Sequence, residues 1–187
     1  IISLQPNSLS DIWNDIEKMA KGLNVESKGI QLVKTLKDKA HELNQSVKEL
    51  PVKTVACIEW IDPLMAAGNW VPTLVELAGG QNLFGEAGKH SPWMDFNALK
   101  AEDPDVIIAM PCGYNISKTI KEMKVLTDNP EWESLSAVKE ERIYLTDGNQ
   151  YFNRPGPRII DSLEILMEIL HEGKFDFSHH KSGWIRL

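Results

Sequence analysis

The residues best suited to chemistry lie between Tyr144 and Arg158, where Tyr151, Phe152 and Arg154 share a loop punctuated by Gly148, Pro155, Gly156 and Pro157. The prolines fix φ and remove two backbone donors, while the glycines allow turns closed to other residues, so a stiff loop is expected. Two flat apolar rings beside a planar cation with five donors suit a large, flat, partly anionic ligand. The competing reading is a helix start with two packed aromatics.

Sets that could perform catalysis are weaker. Glu59 and Asp62 form a possible carboxylate pair, but acid–base work needs partners in opposed environments, and a solvated strand end explains both. His179 and His180 are adjacent, so in regular structure they point apart. With no Cys or acidic ligand at zinc spacing, they read as an exposed tail pair, and no metal site is predicted. His41, His90 and His171 lack a spaced partner. No GxSxG nucleophile elbow, GxGxxG or GxxxxGK[ST] occurs, and Ala78-Gly79-Gly80 reads as a helix end. Cys57 and Cys112 each sit in or at the end of an apolar run and are expected to be buried free thiols.

The elements that must hold these residues alternate. Ile1 to Leu4 reads as a short strand, followed by a helix through Ile12, Trp13, Ile16 and Met19 that ends near Gly22, with N-cap candidates in Asn7 to Asp11. The longest helical signal runs from about Ser27 to Leu50 and stops at Pro51. At 1.5 Å per residue it is roughly 30 Å long, enough to link two lobes. Beyond it come strand-like runs at Val52 to Trp60, Val106 to Met110 and Ile143 to Thr146. Helical patterns fall at Val71 to Ala78, Ser117 to Met123 and from Arg158 onward. Such alternation predicts an α/β fold, a mostly parallel sheet with helices on both faces. No periodicity places the tail from Phe175 to Leu187.

Ligands of open α/β sheets bind beyond the carboxyl ends of the strands. Three loops leave such ends. The first carries Trp60, Met65 and Trp70, the second Tyr114, and the third Tyr151, Phe152 and Arg154; Trp93 belongs to a Gly- and Pro-rich surface loop from Phe84 to Asp95. Their grouping predicts a wide apolar mouth with few polar anchors, although core packing is the simpler reading of any one ring.

A net charge of −7 with no basic stripe argues against a nucleic-acid partner. No apolar run approaches the ~20 residues that span a bilayer. The chain opens on Ile1-Ile2-Ser3-Leu4 without an initiator Met, which predicts residues upstream of it.

Five stretches in order carry a resemblance: Cys57 to Pro72, Val75 to Gly80, Asp103 to Ile107, Met110 to Tyr114, and Tyr151 to Arg158. Together they resemble the cobalamin-type substrate-binding proteins of ABC importers, a class with two α/β lobes joined by one long helix that also includes ferric-siderophore and haem binders. The resemblance implies that residues 1–24 are a remnant of a largely missing N-terminal lobe, that residues 25–51 are the interlobe helix, and that residues 52–187 are the C-terminal ligand-binding lobe with its tail. Trp93, Met65 and Arg154 match ligand-contacting positions of the cobalamin binders, Met65 standing in for an aromatic, and Gln150 falls where the family can carry an acid. Asn97 occupies the place of an acid that docks on permease arginines, with Asp95 the nearest substitute. The implied function is delivery of a corrinoid to a membrane permease at the periplasmic or extracellular face of the membrane, with no cofactor beyond the transported cobalamin and no contact with the membrane except through the permease. A ferric-siderophore or haem binder of the same class is the alternative, and a small α/β enzyme using Glu59, Asp62 or Cys112 the rival of a different kind. An unpartnered N-terminal unit would also expose a strand edge and an apolar helix face, predicting self-association.

Overall fold

A computed structural model describes residues 1–187. Helix α1 (Leu9–Gly22) starts on a capping box in which the Ser8 side chain accepts from the Asp11 amide and Asp11 returns a bond to the Ser8 amide. Helix α2 (Glu26–Val47) packs against it at close range: a Cβ on Gly29 would stand 2.3 Å from that of Ala20. Ile12, Trp13, Val33, Leu43 and Val47 are buried and join the same apolar cluster as the sheet.

After Pro51 the chain builds one sheet from β1 (Thr54–Trp60), the short β2 (Met65–Ala66), α3 (Val71–Leu77), the short β3 (Gln81–Asn82), α4 (Phe96–Glu102), β4 (Val106–Ala109), α5 (Ile116–Glu122), α6 (Lys124–Thr127), α7 (Ser136–Lys139), β5 (Ile143–Thr146), α8 (Ile159–Leu170) and β6 (Trp184–Arg186). The strand order is β2-β1-β4-β5-β6, with β3 also on β1. The β1, β3, β4 and β5 pairings are parallel, while β2 and β6 are antiparallel. The predicted mostly parallel α/β fold is therefore present.

The apolar runs of the parallel strands are explained by burial on both faces. Val55, Cys57, Val106, Ile108 and Tyr144 face the α1, α2, α3 and α8 layer. Ala56, Ile58, Ile107, Ala109, Ile143 and Leu145 face the opposite layer, with Leu99, Met123, Trp132 and Leu135. Register between β1 and β4 is pinned at their start, where Thr54 N and Oγ1 donate to Asp105 Oδ2 at 2.8 and 2.9 Å and the Asp105 amide returns a bond to Thr54 Oγ1.

Four expectations are corrected. Ile1 to Leu4 is not a strand. It has no strand beside it and lies along α1 instead, with Lys18 Nζ donating to Ser3 O at 2.6 Å and Ile2 packed over Gly22. The expected free strand edge is consequently absent, although Met19, Leu23, Ile30 and Leu32 do leave apolar surface on α1 and α2. Cys57 is buried, with its thiol pushed up to about 12 by desolvation and the nearby Glu59 charge, but Cys112 is exposed because β4 has ended three residues earlier. The tail is not shapeless: Trp184–Arg186 adds β6 to the β5 edge, held by the buried Glu168, whose carboxylate accepts from Trp184 Nε1 and from the amides of Phe177 and His179. Finally, His179 and His180 are not an exposed pair, because the His179 side chain is only 15% exposed with Nε2 at 3.0 Å from Glu164 Oε2; the stiff loop after β5 begins with one π-helical turn, Gly148–Phe152, capped by Asp147.

Behind the sheet, His171 Nε2 lies 2.8 Å from the carbonyl of Ala78 and joins the end of α8 to the end of α3. Desolvation holds the His171 pKa below the ordinary histidine value against the raising effect of that carbonyl, and Lys53 and Lys174 push in the same direction as burial. Neutral His171 thus contributes stability that is present above the unfolded pKa of ~6.5 and is lost as pH falls through the lower folded value. The urea midpoint should fall between about pH 7.5 and about pH 5.5, and His171→Gln, which retains a donor for Ala78, should flatten that fall. Parallel pH profiles for the two proteins would show that His171 is not responsible.

Candidate functional site

The carboxyl ends of β1, β4 and β5 open onto one edge, because parallel strands deliver all their exits to the same side. Trp60, the last residue of β1, and Tyr114, in the loop after β4, meet there with ring centroids 5.4 Å apart and planes tilted by 55°. The Trp60 indole donates to Asp62 O at 3.0 Å, which fixes its plane. Lys118 Nζ sits 3.5 Å from the Tyr114 ring centre, a cation over a π face. Asn115 caps α5 by accepting from the Lys118 amide at 2.9 Å, which fixes Lys118 in the first turn, four residues after Tyr114. Trp93 pairs by backbone with Met65 at the β2 side of the edge, and at 66% relative exposure it is the most open large ring of the set.

Arg154 completes this face. Its Nε and Nη2 donate to the carbonyl and side-chain oxygen of Asn149 at 3.1 and 2.9 Å, and the Asn149 amide donates to Tyr114 O at 3.1 Å. The π-helical turn is wedged beside the β4 exit: a Cβ on Gly148 would stand 2.4 Å from Pro111 O and 2.6 Å from Met110 O. Asn153 Nδ2 also donates to Met110 O. Cys112 lies at the same edge, its amide bonded to Glu59 O, and its thiol pKa is raised by desolvation and by Glu59, with Arg154 opposing. Glu59 accepts a hydrogen bond from Ser91 Oγ.

The structure therefore brings together Trp60, Met65, Trp93, Tyr114 and Arg154. It separates others from that surface. Trp70 and Phe152 are buried in the core at 8% and 1% exposure, and the Trp70 indole donates to Phe152 O. In this conformation neither ring can line an open mouth. Tyr151 turns toward the tail, where its ring meets that of His179 edge-on at 6.0 Å and its carbonyl accepts from Ser162 Oγ. Gln150 is exposed, with Nε2 donating to Asp147 Oδ2. Asp95 and Asn97 are exposed at the start of α4, where Asp95 caps the helix through the Ala98 amide. Sequence reasoning did not pick out Lys118 or Asn149. The spacing of Lys118 after an Asn N-cap and a Tyr was the available signal, whereas nothing local marks Asn149 as a tie between two loops.

Four cavities of about 250–330 Å³ lie elsewhere, so the aromatic edge is an open face and not an enclosed pocket. An open face of rings, a thioether and two cations can hold a flat ligand on one side. Desolvation and Glu59 raise the Cys112 thiol pKa, which works against a reactive thiolate, and Glu59 is already engaged by Ser91.

Comparison with known proteins agrees with this architecture. The family model described as "Periplasmic binding protein" matches residues 2–150. A curated relative from Bacillus subtilis, described as an uncharacterized ABC transporter substrate-binding lipoprotein, YvrC, is 24% identical over 173 residues, covering 90% of this chain and 52% of the relative. The chain thus spans about half the length of that relative. Among solved structures, an ABC transporter substrate-binding protein from Listeria monocytogenes superposes with a TM-score of 0.80 at 18% identity, over 91% of this chain and 67% of the other. S. aureus IsdE complexed with haem gives 0.73 at 18% identity over 89% and 66%. The Vibrio cholerae vitamin B12 binding protein BtuF gives 0.67 at 19% over 91% and 64%.

The Gly148 contact generates a test. Adding a methyl there must displace backbone oxygens of the β4 exit, not a movable side chain, so Gly148→Ala should cost about 1–3 kcal/mol. Urea unfolding with unchanged stability would show that the close approach relaxes freely.

Proposed function

This chain belongs to the periplasmic binding protein family, whose members bind and do not transform their ligands, and we propose that it supplies one wall of the ligand cleft of an ABC-importer substrate-binding protein. Its ligand in this reading is a corrinoid, handed at the periplasmic or extracellular face of the cell membrane to a membrane permease. The observation that carries the proposal is the convergence of Trp60, Met65, Trp93 and Tyr114 with Arg154 on one sheet edge. A corrin offers a broad apolar face to rings and a thioether, and peripheral amides to a guanidinium. In the same reading α2 is the interlobe strut, residues 1–24 belong with a second lobe, and Asp95 and Asn97, exposed on α4, meet the permease. The rival within the class is an anionic metal chelate, a ferric siderophore or haem. Lys118 supports it, because with Arg154 it gives the edge a second cation beside the rings.

Titration with cyanocobalamin, a ferric hydroxamate and haem, followed by tryptophan fluorescence and calorimetry, separates these readings. Corrinoid binding should weaken about tenfold or more in Trp93→Ala, equivalent to ~1.4 kcal/mol or more, and similarly in Arg154→Lys, which keeps the charge but loses the fork. Lys118→Ala should leave corrinoid affinity within a few-fold and reduce affinity for an anionic chelate. Binding of haem or the siderophore alone moves the assignment to the rival, and indifference of every ligand to Trp93 and Arg154 removes this edge as the site.

A further inference from the structure

A second constellation lies away from the aromatic edge, on the outer side of α8. Asp161 and Glu164 are three apart on the helix, so both carboxylates project from one face. The tail brings His179 to the same spot, with Nε2 at 3.0 Å from Glu164 Oε2. One ligand-capable atom from each of Asp161, Glu164 and His179 lies within 4.8 Å of the others. We propose that these three side chains form a binding site for a divalent transition metal of the zinc or manganese type.

Three physical features support the assignment. The His179 and Glu164 side chains are only 15% and 17% exposed, so the Glu164 and Asp161 carboxylates meet the imidazole in a partly covered space, where a divalent ion would be shared by all three. The donor set is also chemically apt: one imidazole nitrogen and two carboxylate oxygens suit borderline ions, and three protein ligands leave coordination positions for water. Finally, the histidine is held in place before any ion arrives. Its amide donates to the buried Glu168 carboxylate at 3.3 Å, and its carbonyl accepts from the Gly183 amide at 2.7 Å and the Ser182 hydroxyl at 3.1 Å. The ring edge of Tyr151 further limits its rotation. This prepaid ordering is what a chelating histidine on a chain terminus otherwise lacks. The adjacent His180 does not share the site, since its ring packs against Trp184 instead, with centroids 4.7 Å apart and planes tilted by 45°. Bound metal would clamp the tail strand β6 to α8.

The test uses the chain after chelator treatment and gel filtration, titrated separately with zinc, manganese and magnesium chlorides. Zinc or manganese should bind with one equivalent by calorimetry and raise the melting temperature by several degrees, while magnesium, which favours all-oxygen sites, should do neither. His179→Ala should abolish the shift, and Glu164→Gln, which keeps an acceptor for His179, should weaken binding at least tenfold. His180→Ala should leave it intact. Should His179→Ala lose its folded circular dichroism spectrum, Asp161→Asn is read in its place, with the same loss of metal binding expected. Absence of a one-equivalent isotherm with zinc or manganese overturns the proposal, as does a shift that survives the His179 and Asp161 substitutions or vanishes with His180→Ala.

Discussion

Everything in this molecule depends on three parallel strands that are buried on both faces. Val106 to Ala109 and Ile143 to Thr146 have no residue open to solvent, and β1 has four such residues in succession. A strand enclosed in this way can present nothing from its middle. Polar and aromatic side chains are displaced to the ends, and because the strands run in parallel, their carboxyl ends lie side by side. Trp60, Cys112, Tyr114 and the Asp147 turn are neighbours for that reason and not because any local sequence joins them.

Much of this was legible from the amino-acid order. Strand-like runs at 52–60, 106–110 and 143–146, with apolar cores at 55–58, 106–110 and 143–145 and helical periodicity between them, fit a covered parallel sheet. At the Asp103-Pro104-Asp105 entry to β4 the two acids have separate tasks: Asp103 takes a left-handed conformation and binds Ser136, while Asp105 locks onto Thr54. Gly79, just past α3, adopts the positive φ anticipated for a helix end.

The points that local sequence leaves open have a common physical origin. Trp70, Phe152 and Tyr151 share the residue types of the aromatic edge, and only three-dimensional packing decides which rings turn inward. Trp70 and Phe152 are tied to each other across 82 residues by an indole-to-carbonyl bond that no window of sequence contains. The strand character of Trp184–Arg186 is likewise conferred from outside, by the free edge of β5 and by a buried glutamate on α8. Ile1 to Leu4 shows the converse: strand-forming residues with no edge to join remain irregular.

The bond chain from Arg154 through Asn149 to the Tyr114 carbonyl has a kinetic side. Two loops that would otherwise fluctuate independently share one hub, and the π-helical turn below that hub is wedged against the β4 exit. In the proposed role, a ligand arriving at this edge would meet loops already ordered by hydrogen bonds, so that less conformational entropy would be lost on binding. Encounter would then be a matter of orientation more than of loop rearrangement, and discrimination among flat ligands would fall chiefly on how long each one stays.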